Sequence, residues 1–134
     1  MSKEYRSSAI IPLTPAADYS ASKGYLGTFS GETFTVSASA TVPATGAIIE
    51  GNDTAAGYAN EKVAVGILGS LDGTIAMRAG GTIAKGTRLQ QNTDGTVVTD
   101  LGPGNARVVV GVACEAAVAG ENFEVAPITP FIGA

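Results

Sequence analysis

The chain has 134 residues, eighteen of them glycine, with a net charge of −4 and charged residues at only 15%. That length suits one domain with a core of its own. Eight Lys and Arg residues without a cluster exclude the electrostatic footprint of a nucleic-acid binder. No apolar run approaches the roughly 20 residues of a membrane span.

Residues 1–31 are poor in periodic pattern, with Pro12, Pro15, Gly24, Gly27 and Gly31 among scattered Ser and Thr. Tyr5, Ile10, Ile11, Leu13, Tyr19, Tyr25, Leu26 and Phe29 are spaced through the same stretch. Ordered anchors in an irregular segment predict an extended N-terminal arm that docks on its own domain, a sister subunit or a larger partner. A β-rich domain over 32–134 is expected to follow. The candidate contact residues of the arm are Tyr5, Ile10, Ile11 and Leu13. No apolar signal-peptide region follows Lys3 and Arg6, so no leader is expected.

From residue 33 to 39 apolar Phe34, Val36 and Ala38 alternate with Thr and Ser, the pattern of a half-buried strand. Ala47, Ile48 and Ile49 read as a short strand, and residues 51–57 as a polar loop. The run 63–68 is continuously apolar, as in a central strand covered on both sides. Another strand is expected at 74–78. Asn92-Thr93-Asp94-Gly95 between the alternating runs 87–91 and 96–99 predicts a hairpin, because glycine accepts the positive φ of the turn. Residues 107–112 are β-branched and predicted core. Residues 113–119 are rich in alanine and are the one place where a helical turn is expected. Phe123 and Val125 share a strand face, and Pro127 and Pro130 enforce an extended exit.

The stretches 83–89 and 117–123 run alike, from small or apolar residues through Gly86 or Gly120 into polar and apolar alternation. Each reads as a tight turn delivering a short strand. No period repeats three times, which argues against a solenoid. The expected fold is mainly β: a compact barrel or sandwich of short strands and Gly-rich turns, with at most one or two short helical turns.

Chemistry has little to work with. The absence of histidine removes Ser-His and Cys-His triads and histidine zinc sites. Cys114 is the single cysteine, so an internal disulfide is excluded and a reducing compartment fits. The glycines at 24–27 and 69–73 match neither a dinucleotide site nor a phosphate loop. Carboxylates remain: Asp53, Asp72, Asp94 and Asp100 in predicted turns, and Glu121 and Glu124 on opposite strand faces. No aromatic stripe accompanies them as sugar stacking would require, and Asn52-Asp53 lacks the spaced oxygens of a Ca²⁺ loop. The chain is expected to be no enzyme, to carry no cofactor or metal, and to work through its surface.

The stretch 79–128 resembles the small decoration, or cement, proteins of tailed-phage heads. The similarity lies in Ala84-Lys85-Gly86-Thr87-Arg88-Leu89, in Asp94-Gly95-Thr96-Val97-Val98, in Gly111-Val112-Ala113-Cys114-Glu115 with the alanine-rich run up to Gly120-Glu121, and in Phe123-Glu124-Val125. Val65-Gly66-Ile67-Leu68 and Ser2-Lys3-Glu4 are similar to lambda-type head stabilisers. The resemblance implies a protein made in the host cytoplasm that binds the major capsid protein on the outside of an expanded head. It also implies self-association as a homotrimer at threefold or quasi-threefold positions, with no nucleic acid and no membrane. A fibre or spike component of the virion is the alternative, and a carbohydrate-binding module a further one.

Overall fold

The computed structural model describes residues 9–71 and 73–133. It is mainly β, built as a closed barrel followed by a five-stranded sheet. The helical content of the described residues is a single 3-10 turn, Tyr58–Asn60.

The barrel uses β1 (Ile10–Pro15), β2 (Leu26–Ser30), β3 (Thr33–Val36), β4 (Gly46–Glu50) and β5 (Val63–Ile67), ordered β1-β3-β2-β4-β5. β2 and β3 form a hairpin whose two-residue loop starts at Gly31, with φ of +58°, a conformation that suits glycine. β1 closes the barrel. It lies parallel to β3 through Thr14 and Pro15, and antiparallel to β5 from Ile10 to Leu13. Closure leaves no open sheet edge on this half.

Its interior holds Leu13, Tyr19, Phe34, Ile48, Val63 and Val65. Tyr19 meets Phe34 edge to face with centroids 6.4 Å apart, the arrangement ring quadrupoles favour. The Tyr19 hydroxyl accepts a hydrogen bond from the Val36 amide at 3.0 Å, and the Tyr19 amide donates to Asn52 Oδ1 at 2.7 Å.

This corrects the expectation of a mostly irregular arm over 1–31. The part described, 9–31, supplies two barrel strands and the buried Leu13, Tyr19 and Leu26. Pro12 and Pro15 mask the strand signal of β1, whose ladder partners stand about fifty positions away on β5. Removing residues up to 15 would open the barrel.

The second sheet takes β6 (Ile75–Arg78), β7 (Arg88–Gln91), β8 (Val97–Thr99), β9 (Arg107–Ala113) and β10 (Asn122–Gly133) in the order β6-β10-β9-β7-β8. The two similar stretches of the sequence face each other here. Ile83 and Ala117 exchange both amide-to-carbonyl bonds, at 2.8 and 3.0 Å. Gly86 donates to the Ala113 carbonyl, and Gly120 donates to that of Ala79. The two glycines have φ of +86° and +89°, where an L side chain is strained. β6 pairs with β10 through Arg78 and Asn122, and β7 with β9 through Arg88 and Val112. Each unit therefore gives one strand to the other, as an approximate twofold would require.

The helical turn expected over 113–119 is absent. Ala117 spends both backbone groups on Ile83, and this tertiary pairing overrides the helix preference of alanine. The Asp94-Gly95 hairpin forms, with Gln91 opposite Val97 and Gly95 at φ +84°. Beyond Pro127 the extended chain remains on β9, with a register shift before Phe131.

Leu26, Ala44, Ala47 and Leu68 of the first half share one core with Met77, Ile83, Leu89, Val97, Val108, Val110, Phe123 and Val125 of the second. Fully buried Gln91 stitches the same seam. Its Oε1 accepts from the Ala44 amide at 2.9 Å, and its Nε2 donates to the Ser39 and Val42 carbonyls at 2.7 and 2.8 Å.

Candidate interaction surfaces

The carboxylates weighed as catalytic groups are dispersed. Among the described residues no three His, Cys, Asp or Glu side chains gather as a metal site would need. Asp94 Oδ1 accepts from the Thr96 amide at 3.1 Å, and Glu121 Oε1 accepts from the Val118 amide at 2.8 Å. Both serve the local turn. Glu115 accepts from the Glu124 amide at 2.8 Å. Asp72 lies outside the described residues. Asn52 is buried, and its Nδ2 donates to Asp18 Oδ1 and to the Thr54 carbonyl. It ties the loop after β1 to the loop after β4. The Asp18 carboxyl sits below its ordinary value, chiefly because it accepts the Ser20 amide.

Of the four candidate contact residues, Tyr5 lies outside the described residues. Leu13 is buried in the barrel core and Ile11 is half-buried against it. Ile10 is 36% exposed. It opens onto a shallow depression of about 330 Å³ lined by Ile10, Pro12, Val63, Ala64 and Gly51, with Glu50, Asp53 and Lys62 contributing charge. Pro12 and Glu50 both stand in register with Ala64, so β1, β5 and β4 form its floor side by side. Lys62 donates to Thr14 Oγ1 at 2.8 Å. Among the described residues no ion pair joins it to Glu50 or Asp53.

The second surface is the face of the β7-β9-β10 sheet turned away from the core. Val112 is 41% and Phe131 43% exposed. Arg88 lies in register with Val112, and its guanidinium stands 5.7 Å from the Phe131 ring centroid, within cation–π range. Arg88 also meets Asp100 at 3.4 Å, and Asp100 is held from its other side by the buried Arg107. The Arg107 hydrogen bond keeps the Asp100 carboxyl below its ordinary value, against a smaller upward push from burial. Leu101 and Ile132 are exposed at the rim of this half.

Sequence reading missed this face. A signal existed in the apolar Ile128, Phe131 and Ile132, but Pro127 and Pro130 made the stretch read as an exit. Nothing in the local pattern of Arg107 or Asp100 announced their pairing.

No family model matches the chain, and no curated protein matches it. Among solved structures it is similar to the N base of the head fibre gp8.5 of bacteriophage phi29, known from a crystal structure. The TM-score is 0.60 at 18% identity, over 89% of this chain and 92% of that one. The two share a fold. The match takes in the barrel and the second sheet together, since neither half alone would fill that share of the chain.

Proposed function

We propose that the chain is a non-enzymatic structural component of a phage virion, seated on the outer surface of the head and bound to the major capsid protein. The observation that supports this reading best is the near full-length likeness of fold to the base of a head fibre. The cement-like residues through 79–128 agree with it. In this reading the protein decorates and stabilises the expanded shell. A module touching several shell subunits resists their separation, because its binding free energy is lost when they part.

The working form is a homotrimer at threefold or quasi-threefold positions, and the Val112 and Phe131 face is the apolar surface that self-association would cover. Tyr5, Ile10 and Ile11 are the contacts toward the shell. Leu13, committed to the barrel core, is not among them.

The test adds purified protein to undecorated, expanded capsids and measures binding, stoichiometry at the symmetry axes and resistance to heat. Saturable binding with three copies per site and a raised capsid melting temperature is expected. Saturable binding without thermal protection favours a second reading, the base of a projecting fibre, which the head-fibre neighbour supports. Absence of binding overturns both.

A further inference from the structure

We propose that the depression beside Ile10 receives an arginine side chain presented by the major capsid protein. The identity of the partner rests on the capsid-binding reading above, whereas the chemistry of the site does not. Shape is the first argument. Pro12 of β1 and Glu50 of β4 both stand in register with Ala64 of β5. The depression therefore runs across three strands, from an apolar side at Ile10 and Pro12 to an acidic side at Glu50. Its volume of about 330 Å³ lies at the small end of ligand sites and suits one long side chain. An arginine can lay its aliphatic stem on the apolar side and bring its head to the carboxylates. A wholly apolar anchor would instead desolvate those acids without giving them a partner.

Charge is the second argument, and it comes from the loop after β4. Glu50 and Asp53 are exposed on the rim, and among the described residues neither has an ion pair. Two further carboxylates are drawn to the same loop. Asp18 accepts the Asn52 side-chain amide at 3.1 Å, and Glu61 accepts the Thr54 amide at 3.1 Å. Against these four stands Lys62, the cation lining the depression, which already donates to Thr14 Oγ1. The local field thus favours a cation, in a chain whose net charge is −4. The loop is also fixed in place. Buried Asn52 accepts the Tyr19 amide at 2.7 Å, and a Cβ on Gly51 would come within 2.1 Å of the Tyr19 carbonyl oxygen. Carboxylates on so firmly held a loop lose little freedom on binding. A guanidinium fork meets a carboxylate through two parallel hydrogen bonds, which an ammonium cannot do.

NMR titration of the full chain with the tripeptide acetyl-Ala-Arg-Ala-amide tests the site directly. Saturable shifts are expected at the Ile10 and Ala64 methyl groups and at the Gly51 and Asp53 amides, with the second sheet unmoved. The same peptide carrying citrulline, neutral and nearly isosteric, should leave these signals in place. Glu50→Gln with Asp53→Asn should weaken arginine-peptide binding about tenfold, the worth of two exposed ion pairs. Lys62→Gln should tighten it about twofold by removing a like charge. Absence of shifts with the arginine peptide overturns the proposal, as do equal shifts with citrulline. Ile10 and Ala64 signals that move on dilution without peptide also overturn it, since they assign the depression to a second copy. Expanded capsids supply the second arm: the Glu50→Gln, Asp53→Asn protein should bind them more weakly than the wild type. Peptide shifts without any capsid binding uphold the arginine site and overturn the capsid protein as its partner. Capsid binding that the double variant retains in full likewise overturns that partner.

Discussion

The barrel and the second sheet solve the same problem in opposite ways. The barrel gathers strands distant in the chain, closes every edge, and fills its interior with two rings packed edge to face and branched aliphatics. The second sheet is built from two similar turn units that pair with each other, and it stays open. Most of the exposed large apolar side chains lie on that open half: Leu101, Val112, Val118, Ile128, Phe131 and Ile132, against Ile10 and Val42 on the first. A closed sheet spends its apolar residues inward, whereas an open one has a second face that another molecule can cover.

The comparison can be broken by substitution. Phe34→Ala should have the largest effect, about 4 kcal/mol of folding stability, since it removes a fully buried ring from the barrel. Urea unfolding should still show one transition, because the halves share a core. Two transitions would mean that barrel and sheet fold separately.

Asp100→Ala is the corresponding lesion in the second half. It deprives buried Arg107 of its carboxylate and should cost about 3 kcal/mol. The pH dependence has a definite sign. Because the Asp100 carboxyl is lowered from 3.8, its contribution is fully present above that pH and is lost as pH falls through the lower folded value. Thermal melts of the wild type and Asp100→Asn should therefore converge in acid and separate above pH 4.

Gln91→Ala tests the seam. It strands the Ala44 amide and the Ser39 and Val42 carbonyls, for a loss of about 2 kcal/mol. Hydrogen exchange should accelerate first at Ala44. Gly95→Ala asks how far the hairpin tip supports the barrel. Its φ of +84° and a Cβ 2.7 Å from Val36 Cγ1 predict a loss of about 1.5 kcal/mol in chemical denaturation. The smallest effect belongs to the open face. Phe131→Ser should change stability by about 0.5 kcal/mol, the worth of an exposed cation–π contact. Sedimentation should nevertheless show weaker self-association if this face joins copies.

The local units were the readable part. Asp94-Gly95, the strand at 33–36, the run at 63–67 and the twin glycines at 86 and 120 all carry turn or alternation chemistry within a few residues. The arm and the helical turn were misread for a common reason. Ile10 to Leu13 became a strand because β5 supplies its ladder, and Ala117 stayed extended because Ile83 takes its hydrogen bonds. Both partners are remote in sequence, so neither outcome leaves a local trace. The depression beside Ile10 and the Arg88–Phe131 face are likewise assembled across three strands each.

By itself, then, the sequence determined a β protein of short strands, its turns and its poverty in catalytic groups, because glycine φ, side-chain alternation and residue chemistry act over a few positions. Tertiary structure alone decided that the first half closes into a barrel, that the twin units pair with each other, and which apolar residues remain outside. Those outcomes depend on which strand edges meet, and hydrogen-bond pairing across thirty to fifty residues is a property of the folded chain as a whole.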